Sequence, residues 1–271
     1  MKYKYVFVVL VYKNIDVLKD FFETLRIDDY KVIVVNSYYN EKSLKQCREI
    51  STQYNADFIA VENKGYGYGN NVGAKFAMDN YEYDYLILSN SDIQINAISY
   101  LDDIIKDAAV LAPHTHMLNG KVQNPNIPWH LSCLIPLLNY AYKHNSRLFL
   151  LIPHFFTRIT RELFRLYHHI KKKQTYKIYS CHGSFIVFTK VAVEKLYPFF
   201  NEKMFLYNEE LFLAEKCRLE RVPIYYKPQL DVLHLEGASS SDDKKLGFVF
   251  NKQSFEVLYE WRLKKGKENL R

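Results

Sequence analysis

Cysteine is scarce in this sequence: four residues in 271, at Cys47, Cys133, Cys181 and Cys217, none of them in a C-x-x-C pair. That excludes a zinc ribbon or a disulfide framework and fits a reducing, cytoplasmic setting. Long hydrophobic runs are missing too. Nothing reaches the roughly 20 uninterrupted apolar residues of a membrane span, and Val6–Val11 is too short for the core of a signal peptide. The expectation is a soluble or peripheral protein. There is no internal repeat and no low-complexity tract. Of only nine glycines, four fall between Gly65 and Gly73, in a pattern that is neither the dinucleotide G-x-G-x-x-G nor a P-loop ending in Gly-Lys-Ser/Thr.

What is present is an ordinary globular apolar fraction of 48%, an abundance of tyrosine (23) and phenylalanine (18), and a net charge of +7. The charge favours anionic partners, among them nucleotide diphosphates and anionic lipid surfaces. The basic residues lack a recognition motif for nucleic acid, which is therefore not an expected partner.

Strand-like runs, the first of them apolar and β-branched, alternate with helical spacings. Tyr5–Val11, Lys31–Val35, Asp57–Val61 and Tyr85–Ser89 read as strands, and Ile15–Leu25, Ser43–Tyr54 and about Asn70–Asn80 as helices. Such alternation predicts right-handed βαβ units, hence an α/β fold with a mostly parallel central sheet and helices on both faces. Ligands in such sheets bind beyond the carboxyl ends of the strands. From 119 to 176 the pattern changes to a Leu-, Phe- and His-rich segment closing on Lys171-Lys172-Lys173. It reads as a helical, basic insertion, either an interfacial helix or a packed hairpin with a solvated face. Beyond it, Lys177–Ser180, Ser184–Thr189, Ile224–Lys227 and Val232–Leu235 read as strands, and Val191–Leu196, Glu209–Glu220 and Phe248–Leu263 as helices.

Four patterns sit where chemistry would. Asn90-Ser91-Asp92 follows a strand, and an oxygen pair there suits Mg²⁺ or Mn²⁺; the same triplet also serves as a turn. The run from Glu62 to Gly73 offers a glycine-rich backbone and a helix start to an anion, or is a loop before an N-capped helix. Glu209 and Glu210 open a helix, where like charge and dipole can tune one of them as a base, although acidic first turns are commonplace. His234 ends an apolar strand and has an imidazole suited to a metal; packed histidines are more common. His182, beside Gly183 at a turn, is the other histidine of interest.

The order of these elements resembles family 2 glycosyltransferases, in particular the bacterial rhamnosyltransferase-like branch. The resemblance rests on Val11-Tyr12-Lys13-Asn14, Asn63 to Gly73, Asn90 to Asp92, Gly183-Ser184-Phe185, Phe205 to Glu210, and His234. It covers roughly residues 1–112 and 177–240. It implies a GT-A fold divided into a nucleotide-sugar-binding half (1–118), the insertion (119–176) and an acceptor-binding half (177–271). Asp92 would bind a divalent cation, Mn²⁺ or Mg²⁺, with the donor diphosphate, Asn90 would lie beside it, and His234 would be a further ligand. Val11 and Asn36 would border the nucleobase. Asn63, Gly65, Gly67, Gly69 and Asn70 would line the donor pocket, and His182 with Gly183 the acceptor side. Glu210 would be the general base, with Glu209 as its neighbour. Gly237–Gly247 reads as a lid.

The implied activity is inverting transfer of a sugar from a nucleotide-diphosphate donor, dTDP-rhamnose or a UDP-hexose, to a glycan acceptor. The setting would be surface polysaccharide synthesis, with a lipid-linked acceptor at the inner face of the cell membrane. The sequence departs from the family at the base position, which holds Glu in place of Asp, and at Asn36, Asn90 and Phe212. A non-catalytic binding relative therefore stays open as an alternative, as does a sugar-phosphate nucleotidyltransferase.

Overall fold

The computed structural model of the protein describes residues 1–98, 107–235 and 244–268. Nine strands and eight helices follow one another along these residues. The strands are β1 (Lys2–Val11), β2 (Tyr30–Tyr38), β3 (Asp57–Glu62), β4 (Glu82–Asn90), β5 (Ile93–Ala97), β6 (Val110–Met117), β7 (Tyr176–Ile178), β8 (Phe185–Thr189) and β9 (Ile224–His234). The helices are α1 (Val17–Thr24), α2 (Glu41–Gln53), α3 (Tyr66–Asn80), α4 (Leu134–Lys143), α5 (Arg147–Lys171), α6 (Lys190–Leu196), α7 (Glu209–Leu219) and α8 (Lys244–Glu268).

The strands form one sheet in the order β3-β2-β1-β4-β8-β6-β9-β5, with β7 on β9. From β3 to β4 every pairing is parallel, as the helical crossovers require. Beyond β4 the sheet is mixed: β8 runs antiparallel to β4 and β6, while β6 and β9 are parallel. The parallel reading thus holds for β1 to β4 and for the β6–β9 pair, with β5, β7 and β8 joining antiparallel. The two strands expected at 224–227 and 232–235 are one, β9, whose partner register jumps where Pro113 and His114 face Lys227 and Asp231. Pro228 cannot donate to a ladder, so an irregularity there is expected.

Central strands β1, β2 and β4 are buried on both faces, with Val6, Phe7, Val8, Val9, Ile33, Val34, Leu86 and Ile87 inaccessible. Helix α3 starts at Tyr66, four residues earlier than the sequence reading has it. Its glycines belong to the helix and pack closely: a Cβ on Gly69 would lie 2.5 Å from Leu10 Cδ1 of β1, and one on Gly67 2.7 Å from Phe200 Cβ. Their absence of side chains sets how close α3 lies to β1 and to the 199–200 segment. The neighbouring Asn71 is equally structural, donating to the Phe200 carbonyl (2.9 Å) and accepting from the Phe199 and Phe200 N–H groups (3.1 and 3.3 Å).

Segment 119–176 contains the packed helices α4 and α5. Helix α8 is tied to α7 through Glu215, a fully buried carboxylate that accepts from Tyr179 Oη (2.6 Å) and pairs with Arg218 (3.0 Å) and Arg262 (2.9 Å). Most of the expected lid, residues 237–243, lies outside the described residues; its last four residues, 244–247, open α8.

Candidate active site

A cavity of about 690 Å³ opens at the carboxyl ends of β1 and β4, walled by Lys13, Asn63, Gly65, Asp92, Gly183 and Glu210 among others. This is where a sheet of this topology places a ligand. Three walls build it from distant parts of the chain.

The first wall is the end of β4. Asn90 donates its N–H to the Ser184 carbonyl (2.9 Å), and Leu235 N–H donates to the Asp92 carbonyl (3.0 Å). The Asn-Ser-Asp triplet is therefore clamped between the start of β8 and the end of β9. Asp92 Oδ1 stands 3.3 Å from His234 Nε2, both side chains being buried. His234 donates from Nδ1 to Gln123 Oε1 (2.8 Å), which turns Nε2 toward the carboxylate.

The second wall is the N-terminus of α7. Tyr207 and Asn208 both adopt positive φ (72° and 63°), a strained pair immediately before the two carboxylates. Asn208 is held there by donating to the Asn251 carbonyl of α8 (3.0 Å). Glu210 Oε1 accepts the Gly183 N–H at 3.3 Å. Glu209 Oε1 is buried with no hydrogen-bond partner among the described residues. Burial, followed by the charge of Glu210, pushes the Glu209 carboxyl up to about 8; burial raises Glu210 too, opposed by the Gly183 N–H and by Arg161. Adjacent buried carboxyls titrate as a pair, and the Gly183 N–H and Arg161 favour the ionised form at Glu210.

The third wall is the turn before α3. Gly65 has φ 108°, and a Cβ there would overlap the Phe205 carbonyl, so the turn demands glycine. Tyr66 Oη crosses to donate to the Gly183 carbonyl (2.6 Å). His182 is held by its N–H donating to Asn124 Oδ1 (2.7 Å), and its Nδ1 accepts from Ser184 N–H (3.2 Å). Burial, with His234 nearby, drives its pKa down to about 3, so it is a neutral imidazole.

Asn63, Gly65, Asn90, Asp92, His182, Gly183, Glu209 and Glu210 thus border one cavity, with His234 behind Asp92. Val11, Asn36, Gly67, Gly69 and Asn70 do not border it. Val11 and Asn36 lie buried at the β1–β2 pairing, and Asn70 is buried in α3, donating to the Tyr66 carbonyl. Tyr12, Lys13, Asn14, Tyr66 and Tyr207 are walls that the sequence reading did not assign. The Tyr12-Lys13-Asn14 motif at the end of the first strand is the signal that pointed to three of them. Asp92 and His234 pair a carboxylate with an imidazole at the first wall, and the described residues hold no cluster of three or more His, Cys, Asp or Glu able to bind a metal ion.

No protein-family model matches the sequence, and no curated protein matches it. Solved structures do. TarS of S. aureus aligns over 83% of this chain and 36% of its own length, with TM-score 0.51 and 16% identity. TarS residues 1–349 in complex with UDP aligns over 83% and 60%, with TM-score 0.50 and 15% identity. GalNAc-T7 with UDP, GalNAc and Mn²⁺ aligns over 91% and 47%, with TM-score 0.58 and 13% identity. The chain spans between 36% and 60% of the length of these proteins. The fold these proteins share with this chain is GT-A.

Proposed function

We propose that the protein is an inverting glycosyltransferase, similar to family 2, that moves a sugar from a nucleotide-diphosphate donor to a glycan hydroxyl. The observation that carries this reading is a single cavity with a carboxylate pair on one wall and Asp92, backed by His234, on another. UDP in the TarS and GalNAc-T7 structures supports a nucleotide donor, dTDP-rhamnose or a UDP-hexose being the candidates.

A divalent cation fits the donor set at the first wall. One carboxylate oxygen and one imidazole nitrogen oriented by Gln123 leave most of an Mg²⁺ or Mn²⁺ shell for phosphate and water, as such ions prefer. Asp92 and His234 would hold it, with Asn90 alongside, and bound there it would offset the charge of the departing diphosphate. GalNAc-T7 is crystallised with Mn²⁺.

The chain's own residues supply the rest. Glu210, kept ionised by the Gly183 N–H while Glu209 holds its proton, takes the proton of the acceptor hydroxyl. The acceptor oxygen then bonds to the anomeric carbon from the face opposite the diphosphate as that bond breaks, which inverts the configuration. Asn63 and Gly65 flank the donor, and His182 with Gly183 flank the acceptor. Residues 1–118 act as the donor half and 177–271 as the acceptor half. The acceptor is lipid-linked and the enzyme works at the cytoplasmic face of a membrane.

Thermal-shift measurements with UDP and dTDP, with and without Mn²⁺, test the reading. A ligand that binds only the native state raises Tm. A Mn²⁺-dependent shift supports a transferase site; no shift with either nucleotide favours a relative that kept the fold and lost the chemistry.

A further inference from the structure

Helix α5 is amphipathic, and its apolar face points away from the protein. Of its 25 residues only Pro153 and Phe164 are buried. The inner side is well anchored: Arg161 donates from Nε to the Asn126 carbonyl and from Nη2 to Asn126 Oδ1, each at 2.6 Å, and Phe164 meets the rings of Trp129, Tyr176 and Tyr226. The outer side carries Leu148, Phe155, Ile159, Leu163, Leu166 and Ile170, spaced by three, four or seven residues and therefore on one stripe. Their exposures run from 38% at Ile159 to 73% at Leu148. At ~1.5 Å per residue the stripe is about 33 Å long, far beyond scattered surface leucines.

What covers this face is decided by charge. Arg147, Arg158 and Arg165 are spaced by eleven and seven residues, so they share one margin of the stripe, and Lys171 to Lys173 close its end. The one acidic residue of the helix, Glu162, is paired with Arg165 (2.6 Å). A second copy packed face to face would set basic margins against each other. An anionic bilayer surface satisfies both features, taking the apolar stripe into the acyl boundary and the cations into the headgroups. No described helix is long and apolar enough to cross a membrane, so α5 would lie in the interface plane.

We infer that α5 docks the protein on an anionic lipid surface. Arg161, on its inner side, is tied to Asn126, and its charge favours the ionised form of Glu210. Docking would therefore hold the cavity beside acceptors carried on lipid, a consequence that rests on the transferase reading; the docking itself does not.

Vesicle flotation of the full chain tests it. Vesicles containing phosphatidylglycerol are compared with pure phosphatidylcholine, for the wild type, the Phe155→Asp/Leu163→Asp pair and the Arg158→Glu/Arg165→Glu pair. All four positions are surface positions, and circular dichroism and Tm check that the fold is kept. The wild type is expected to float with anionic vesicles, and each pair to lose roughly tenfold or more of that binding. Failure of the wild type to bind anionic vesicles, or undiminished binding by the Phe155/Leu163 pair, overturns the inference. So does a wild-type dimer that the same pair converts to monomer, which would make the face a contact between copies. The UDP thermal shift, measured on the same samples, is independent of all these outcomes and separates a failure of docking from a failure of the transferase reading.

Discussion

Gly183 lies edge-on to Glu210: its N–H donates to Oε1 at 3.3 Å, and a Cβ in its place would sit 3.1 Å from that same oxygen. The turn between Ser180 and β8 thus presents bare backbone to the carboxylate, and Tyr66 Oη fixes the turn from the far side through the Gly183 carbonyl. Tyr66, the Gly183 turn and Glu210 form one contiguous hydrogen-bonded unit.

Glu210→Gln is expected to lower transfer by about 10²- to 10⁴-fold, the range of a lost general base. The amide is close to isosteric, so nucleotide binding should persist. Initial rates and the UDP thermal shift, measured together, check this. An enzyme that retains most of its rate would show that the proton goes elsewhere, Glu209 being the first candidate.

His234→Ala should remove the Mn²⁺ dependence of nucleotide binding and leave any metal-independent shift in place. The imidazole is oriented by Gln123 and faces Asp92 Oδ1 at 3.3 Å. Gln123→Leu should therefore show the same defect in milder form, since losing an outer partner of a ligand typically costs about 10- to 100-fold in metal affinity. Calorimetric titration of Mn²⁺ in the presence of UDP provides the measurement. Unchanged Mn²⁺ affinity in His234→Ala would remove this residue from the cation site.

Gly73→Ala is expected to destabilise the fold by about 1–3 kcal/mol, the usual cost of overpacking a filled core. The added Cβ would overlap Val8 Cγ1 and lie 2.7 Å from Val35 Cγ2, on strands that are buried on both faces and cannot yield. Urea denaturation measures it, with Gly266→Ala as the control because nothing lies near that position. Equal stability of the two variants would mean that α3 shifts freely over the sheet.

The parallel half of the sheet was readable because β1 and β2 are dense β-branched runs and β4 carries the apolar run Tyr85–Leu88, which call for burial on both faces. The other half was harder. Strand β6 contains Pro113 and two histidines, and β5 is five residues long, so neither carries a period that stands out. The glycine pattern from Gly65 to Gly73 misled in part. Spacing alone does not distinguish a backbone that approaches a ligand from one that approaches a sheet, and here Gly65 shapes the cavity while Gly67, Gly69 and Gly73 set helix packing. The strand-end and helix-end residues that border the cavity were legible because topology dictates where such ends converge. The role of Arg161 was not, since it depends on how α5 packs back over 35 residues onto Asn126.

Stability should fall as pH rises across neutrality, and Glu209 should account for part of that fall. Its carboxyl is raised from an ordinary 4.5 to about 8 because it is buried beside Glu210. Between those two values the folded protein holds a proton that the unfolded chain has released. The group's contribution is thus fully present below about 4.5 and is lost as pH climbs through about 8. Each such proton changes the unfolding free energy by about 1.4 kcal/mol per pH unit. Glu209→Gln keeps the shape and removes the titration, so its Tm should decline less steeply than that of the wild type over about pH 5.5 to 8.5. The unpartnered Oε1 of Glu209 becomes a neutral amide oxygen, so the variant should gain on the wild type at the alkaline end. Parallel pH profiles for the two proteins would mean that Glu209 is already ionised in the fold, and that the division of labour between the two carboxyls is the reverse of the one argued here.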